Sequence, residues 1–169
     1  MSAVTGSAAD IRSLVAEVPD PEIPVLTIDD LGVLRNVAID DSGQVTVTIT
    51  PTYSGCPAMD AIANDVHTRL AAAGHLDVEV RLELSPAWTS DWMSTAGRHK
   101  LRNYGIAPPS GRASIRAGEP SVVPLTLSVR CPQCGSPETG ELSRFGSTAC
   151  KALWQCRACR EPFDRFKDH

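Results

Sequence analysis

One stretch of the chain decides the fold: Thr50-Pro51-Thr52-Tyr53-Ser54-Gly55-Cys56-Pro57. Before it, apolar residues alternate with threonines over residues 45–49, a pattern that predicts a half-buried strand. After it, apolar residues recur at helical spacing from Met59 to Leu70. The stretch therefore connects a strand to a helix. Pro57 suits the first helical position, where its missing N–H costs no hydrogen bond.

Cys56 lies at this junction, at or next to the N-cap of the predicted helix. Unpaired backbone N–H groups and the positive end of the helix dipole favour a thiolate at such a position. A reactive or metal-binding thiol is therefore one interpretation. The alternative is a small buried hydrophobe, because free cysteine is commonly buried and inert.

Composition and charge limit the classes of protein to which the chain can belong. The 169 residues fit one domain with a small module attached, and a hydrophobic fraction of 42% is enough for a packed core. The sequence begins without a secretory signal and holds no apolar run of membrane-spanning length, so we expect a cytoplasmic protein. In that compartment six cysteines are expected to bind metal or to react. Residues 1–105 hold 7 Lys+Arg against 14 Asp+Glu, whereas residues 106–169 hold 9 against 6, which favours two modules.

Periodicity over residues 1–105 predicts an α/β (α+β) domain in the order α-β-β-α-β-α with a mixed sheet. We expect a first helix capped by Ser7, strands over 31–39, 45–49 and 78–84, and a last helix over 92–104 capped by Thr89 or Ser90. The strand–helix–strand passage from residue 45 to residue 84 predicts a parallel pair. The loops that follow those two strands should then share one end of the sheet, which favours a ligand site near Cys56.

Residues 106–124 are rich in proline and glycine and are predicted to be a linker.

The sequence after the linker contains a cysteine pattern that is typical of a zinc site. Cys131 and Cys134 form one Cys-x-x-Cys pair, and Cys156 and Cys159 form a second after 21 intervening residues. Two such turns, carried by strands near 125–129 and 149–155, complete a tetrahedron of thiolates around one structural zinc per chain, in a ribbon over 125–169. Iron is the less favoured occupant.

The sequence also allows predictions for two further residues of the C-terminal module, Cys150 and Arg160. Cys150 would lie about 20 Å from Cys156 along an extended strand, too far to share its metal, so packing or a partner contact is expected. Arg160 stands where many such turns have glycine, which predicts a different bend in the second turn. Four thiolates and one Zn²⁺ reduce the small positive charge of the module, so nucleic acid is not an expected partner.

Three motifs resemble the SufT-like family of iron–sulfur assembly proteins over roughly residues 8–105: Asp20-Pro21-Glu22-Ile23-Pro24, Asp30-Leu31-Gly32 and the box from Thr50 to Pro57. From residues 20–24 alone, a stiff solvated turn would be the preferred interpretation. Three more narrow the resemblance to the PaaD (PaaJ) family, encoded with the phenylacetyl-CoA ring-epoxidising oxygenase: Trp88 to Met93, Tyr104 to Pro109, and the ribbon with Phe145 to Lys151.

The resemblance implies an accessory protein of phenylacetate breakdown rather than the oxygenase itself. Its implied task is maturation or repair of an iron–sulfur partner, chiefly the reductase component that carries electrons to the di-iron oxygenase. The signature cysteine of the family maps onto Cys56 and its acidic box onto Asp20 and Glu22, while Thr50 and Thr52 are assigned to the same thiol site. A transient iron–sulfur cluster is the implied cargo, and the oxygenase subunits and a second copy of the chain are further partners to consider.

One cysteine cannot by itself hold a cluster that usually takes four ligands. Either two chains share a cluster, or a partner supplies the remaining ligands, or Cys56 acts by thiol exchange. Two other classes of function stay open at this point. One is a thiol-dependent enzyme that uses Cys56, for which no base is visible in the sequence. The other is an adaptor that docks through the ribbon.

Overall fold

The computed structural model describes residues 6–110 and 129–169. The chain packs as two compact units. The N-terminal unit comprises Met1–Trp88 with Trp92–Gly97, and the ribbon unit comprises Thr89–Asp91 with Arg98–His169. In the part of the chain that is described, no helix combines the length and the apolarity that a bilayer crossing requires.

The N-terminal unit begins with α1, Ala8–Ala16. Ser7 caps this helix as predicted: its Oγ accepts from the Asp10 N–H at 3.3 Å, and the Asp10 carboxylate accepts from the Ser7 N–H at 2.8 Å. This reciprocal arrangement is a capping box. Ile11 and Val15 are buried on one face of the helix, because apolar residues four positions apart share a face.

The sheet of the N-terminal unit has three strands: β1, Leu34–Ile39; β2, Val45–Ile49; and β3, Val78–Leu82. The order is β1-β2-β3, with β1 antiparallel to β2 and β3 parallel to β2. Helix α2, Ala58–Ala72, connects β2 to β3 and buries the face that carries Met59, Ile62, Val66 and Leu70. The predicted mixed sheet and its parallel pair are confirmed.

Two predicted element bounds need correction. β1 starts at Leu34 rather than at residue 31, because Gly32 adopts a left-handed backbone (φ +72°) that ends a turn and interrupts the extended run. The last helix, α3, covers Thr95–Asn103 and follows a 3₁₀ turn over Ser90–Trp92. Its cap is Ser94, whose Oγ accepts from the Gly97 N–H at 2.9 Å, and not Thr89 or Ser90.

The ribbon unit holds a four-stranded sheet in the order β4-β7-β6-β5. Its strands are β4, Ile106–Ala107; β5, Thr139–Ser143; β6, Lys151–Cys156; and β7, Pro162–Phe166. β4 pairs parallel to β7, so the sheet includes two residues from the start of the sequence assigned to the linker. The strand predicted near 149–155 corresponds to β6. The strand predicted over 125–129 lies, except for Val129, outside the described residues.

Candidate thiol site and metal centre

The loop that presents Cys56 is a tight turn. The Cys56 N–H donates to the Tyr53 carbonyl at 3.2 Å, and Gly55 has φ +77°. A residue with positive φ in the third position of a four-residue turn is what a type II turn requires, and glycine adopts it without steric cost. The turn brings Tyr53 and Cys56 together, since the first and fourth residues of such a turn lie within about 7 Å of each other.

Cys56 lies directly before the N-cap of α2. Pro57 is the N-cap (φ −70°, ψ −15°) and makes no side-chain hydrogen bond to the helix. The Ala58 N–H is hydrogen-bonded to the Cys56 sulfur. The Met59 N–H reaches the Cys56 carbonyl at 3.4 Å. The predicted position of Cys56, at or next to the N-cap, is confirmed.

Burial raises the pKa of the Cys56 thiol, and this effect outweighs the hydrogen bonds from Ala58, Tyr53 and Thr52 that lower it. Cys56 is only 8% exposed, so its thiolate would lose most of its hydration. The expectation of an acidic thiol at the helix terminus is therefore wrong in direction. The thiol of the isolated chain stays protonated at neutral pH, and a bound metal ion would supply the compensating positive charge.

The loop over residues 20–24 carries two carboxylates, those of Asp20 and Glu22. The charge of Glu22 adds to the effect of burial in raising the pKa of Cys56, so this carboxylate lies within electrostatic range of the sulfur. Asp20 is buried, and its Oδ1 accepts from the N–H groups of Glu22 and Ile23 at 2.9 and 2.7 Å. Asp20 therefore shapes the loop, and Glu22 is the acidic residue that the loop presents.

The two threonines assigned to the site have different positions. Thr52 is half-buried and its side chain is hydrogen-bonded to the Cys56 sulfur. Thr50 is buried, and its N–H donates to the Val33 carbonyl at 2.9 Å, which extends the contact of β2 with the chain before β1. Thr52 thus belongs to the immediate surroundings of the thiol, whereas Thr50 supports the start of the loop.

The Asp30-Leu31-Gly32 motif is structural in this fold. The Asp30 carboxylate accepts from the Thr27 N–H and the Ser94 hydroxyl, both at 3.1 Å. A Cβ at Gly32 would lie 2.6 Å from the Trp92 carbonyl oxygen, a distance that only glycine avoids. The Leu31 carbonyl accepts from the indole N–H of Trp88 at 2.9 Å. These contacts hold Trp88, Trp92 and Ser94 against the Asp30-Leu31-Gly32 motif.

The metal centre lies in the ribbon unit. The sulfur atoms of Cys131, Cys134, Cys156 and Cys159 all lie within 4.8 Å of one another. Cys131 Sγ is 3.8 Å from Cys159 Sγ, and Cys134 Sγ is 3.6 Å from Cys156 Sγ. Four thiolates around one ion at about 2.3 Å are separated by similar distances, so the donor set fits a closed tetrahedral zinc site. A closed site is structural, because it offers no open position to a substrate.

Two of the four thiols, those of Cys156 and Cys159, have pKa values shifted in opposite directions. The backbone N–H of Cys159 lowers the pKa of Cys156 to about 7. The backbone N–H of Glu161 also lowers the pKa of Cys159, but burial and the neighbouring sulfurs outweigh it and raise that pKa to about 12. Crowding of like charges is the physical cause, and a divalent cation removes it.

The residue that follows each cysteine pair has a left-handed backbone conformation. Gly135 follows Cys134 with φ +74°, and Arg160 follows Cys159 with φ +68°. The Gly135 N–H donates to the Cys131 carbonyl at 2.9 Å. Arg160 thus adopts the left-handed conformation that glycine takes in the first turn, so the replacement of glycine does not change the sign of φ at this position.

Cys150 stands outside the four-cysteine cluster, as the spacing predicts. It is buried, and its sulfur lies 3.0 Å from the hydroxyl oxygen of Thr148.

The sequence indicated no role for Tyr53, but in the structure the Tyr53 side chain is hydrogen-bonded to the Cys56 sulfur. The Ser54-Gly55 pair was the available signal, since it marks a turn that brings the residues on either side of it together.

Comparisons with known proteins agree with this two-site architecture. Residues 8–82 match the family model described as "Iron-sulfur cluster assembly protein", and residues 118–167 match "PaaD zinc beta ribbon domain". The chain is 50% identical over 158 residues to an Escherichia coli protein whose name describes it as a subunit of "Putative 1,2-phenylacetyl-CoA epoxidase". That alignment covers 94% of this chain and 91% of the Escherichia coli protein.

Two further likenesses concern the N-terminal part. A Porphyromonas gingivalis "Fe-S protein maturation auxiliary factor" is 42% identical over 86 residues, which cover 50% of this chain and 81% of that protein. The crystal structure of a "Domain of Unknown Function DUF59" from Bacillus anthracis superimposes with a TM-score of 0.52 at 27% identity, covering 56% of this chain and 90% of that chain.

The fold and the two cysteine sites together define an accessory protein of iron–sulfur assembly with an appended zinc ribbon. Within that class, the chain belongs to the PaaD family.

Proposed function

We propose that the chain delivers or repairs an iron–sulfur cluster on a protein of phenylacetyl-CoA epoxidation, with the electron-carrying reductase component as the client. The observation that carries the proposal is the Cys56 site: one sulfur at the start of α2, with Glu22 beside it. A thiolate is a good soft ligand for iron, and the polar groups around it compensate only part of its desolvation. The cluster is a cargo rather than a resident cofactor.

A single thiol suits transfer better than storage. Clusters are usually held by four ligands, and Cys56 is the one cysteine of the N-terminal unit. In this proposal the client or a donor protein supplies the remaining ligands, so the cluster stays exchangeable. The raised pKa acts in the same direction, because a thiol that ionises reluctantly releases its metal more readily when a proton becomes available.

The zinc ribbon is proposed to recognise the client. A closed tetrathiolate site stabilises a small sheet and contributes no chemistry of its own. Names of the relatives support the two halves of the proposal separately: one is a maturation factor for iron–sulfur proteins, and the other is named as an epoxidase subunit. We assign the iron–sulfur chemistry to the N-terminal unit, and the selection of the client protein to the ribbon.

The test is iron loading of the client in cells that express Cys56→Ser. Serine is a good helix cap, so the fold should survive, but a neutral hydroxyl is a poor ligand for iron. The reductase purified from phenylacetate-grown cells should be present in normal amount. It should contain less than about a tenth of the iron found in the wild-type strain, because the transfer lacks its thiolate ligand. Epoxidation should fall in parallel.

The matched control is Cys150→Ser, which replaces a buried cysteine outside both sites and should leave iron loading unchanged. Equal iron per reductase in wild-type and Cys56→Ser cells would refute maturation through Cys56. A fully loaded reductase with accumulation of a pathway intermediate would instead indicate a thiol-dependent enzyme. A silent Cys56→Ser combined with harmful ribbon variants would indicate an adaptor.

A further inference from the structure

Strand β3 is an open sheet edge. The order β1-β2-β3 leaves its outer side without a partner strand among residues 6–110 and 129–169. Val78–Leu82 has no proline, lysine or bulge of the kind that often blocks pairing at an edge, and its charged residues are Glu79 and Arg81, one of each sign. An extended edge of this kind is a template for pairing with another strand.

The backbone directions identify which residues face outward. The Asp77 carbonyl accepts from the Val45 N–H, and the Glu83 N–H donates to the Ile49 carbonyl, both at 2.9 Å. Because backbone groups of successive residues point to opposite sides of a strand, the odd-numbered residues of β3 bond to β2. The N–H and C=O groups of Val78, Val80 and Leu82 therefore point away from the sheet.

The same strand carries an apolar face that becomes uncovered toward the edge. Val78, Val80 and Leu82 are in register with Val45, Val47 and Ile49 of β2, which are at most 1% exposed. Leu82 is 53% exposed, and Leu76 and Leu84 beyond the strand ends are 85% and 62% exposed. Large apolar side chains in one row along an open edge are typical of an interface.

We propose that β3 pairs antiparallel with β3 of a second copy of this chain, centred on Val80. In this register Val80 faces Val80 of the second copy and Val78 faces Leu82 of the second copy, so the outward-pointing groups all bond across the edge. Glu79 and Arg81 of one chain already form an ion pair along their own strand at 2.8 Å. In the dimer Glu79 also faces Arg81 of the second copy, and Arg81 faces its Glu79, so the four charges alternate in sign. These two pairs occupy the non-hydrogen-bonded positions, where opposite side chains approach most closely.

The pleat of the strand, its charges and its length each exclude one of the neighbouring registers. A one-residue shift would set outward-pointing groups against inward-pointing ones and place apolar residues on opposite faces. Centring the pair on Val78 would oppose Asp77 and Glu79, which repel. Centring it on Leu82 would pair residues beyond the end of β3. In the chosen register Asp77 faces Glu83 outside the strand, and Asp77 is already engaged by the Gln44 amide at 3.0 Å.

The proposed dimer keeps the two thiol sites apart. The carboxyl ends of β3, next to which the Cys56 loops lie, point in opposite directions in an antiparallel pair. The two Leu82 residues would be about 13 Å apart along the strands, from four residues at about 3.3 Å each. This interface would therefore not allow the two Cys56 sulfurs to share one cluster. The inference does not depend on the proposed function.

Sedimentation equilibrium of the full zinc-loaded chain over a wide concentration range tests the proposal. The wild type should dimerise. Glu79→Arg and Arg81→Glu should each weaken the dimer about tenfold, because two cross-strand pairs change from attraction to repulsion. An equimolar mixture of these two variants should dimerise like the wild type, since each introduced charge then faces its opposite. The double variant Glu79→Arg/Arg81→Glu should also recover.

The control is Asp41→Arg, which reverses a charge in the turn between β1 and β2 and should leave dimerisation unchanged. Circular dichroism checks that each variant is folded. Hydrogen exchange should protect the amides of Val78, Val80 and Leu82 only at dimer-forming concentrations. A wild type that stays monomeric, a dimer indifferent to both reversals, or amides protected at every concentration would each overturn the proposal.

Discussion

The two cysteine sites of this chain differ in how many of their ligands the chain itself supplies. The ribbon unit brings four sulfurs within 4.8 Å of one another, whereas the N-terminal unit offers Cys56 with hydroxyl groups and a carboxylate beside it. Saturating a metal ion stabilises a fold, and leaving its coordination incomplete allows the metal to move to another protein. Sulfur thus supports the structure of the ribbon unit, and the proposed function assigns it to metal exchange in the N-terminal unit.

Loss of the zinc site should have the largest effect. Cys134→Ser removes one of four ligands from a small sheet, and structural zinc sites contribute apparent binding free energies of about 10–16 kcal/mol. The ribbon unit should unfold and the N-terminal unit should remain folded. Metal analysis and hydrogen exchange, with one zinc per wild-type chain as reference and Cys150→Ser as control, measure this. Loss of protection throughout α1 and β1–β3 would contradict the separation of the units.

Arg160→Gly should have a smaller effect of opposite sign. Arg160 holds φ +68°, a conformation that costs a non-glycine residue about 1 kcal/mol or more, and its exposed side chain faces no crowding. The variant should stabilise the zinc-loaded ribbon unit by about 1 kcal/mol in thermal unfolding. Gly135→Ala, at the matching position of the first turn, should destabilise it. A destabilised Arg160→Gly would mean that the arginine side chain contributes more than its backbone strain costs.

The smallest effect concerns the electrostatics of Cys56. Burial and the charge of Glu22 both raise the pKa of this thiol, so its alkylation should be slow at neutral pH and accelerate above the ordinary thiol range. Glu22→Gln removes the charge and should shift the rate profile to lower pH, while Glu22→Asp should not. Measurement in a zinc-loaded Cys150→Ser background isolates Cys56. A profile that moves upward with Glu22→Gln would exclude the inferred proximity.

How much of this was readable from the sequence depended on the range of the interactions involved. Alternation over residues 45–49 and the paired Cys-x-x-Cys turns depend on near neighbours in the chain, and both predictions are confirmed. The direction of the pKa shift at Cys56 was not readable, because it depends on how far the folded chain buries the sulfur. Nor was β4, whose two residues become a strand only by pairing with distant β7.

The pairing of β4 with β7 has a consequence for the order in which the chain folds during synthesis. Ser110, just after β4, donates to the Asp168 carboxylate, 58 positions further along. A contact of this span forms only after a large loop has closed, which makes it slow and late. Because β7 is translated after β4 and after β1–β3, β4 must wait on the ribosome without its partner while β1–β3 can already assemble. Nascent chains should therefore acquire the thiol site before the sheet of the ribbon unit is complete.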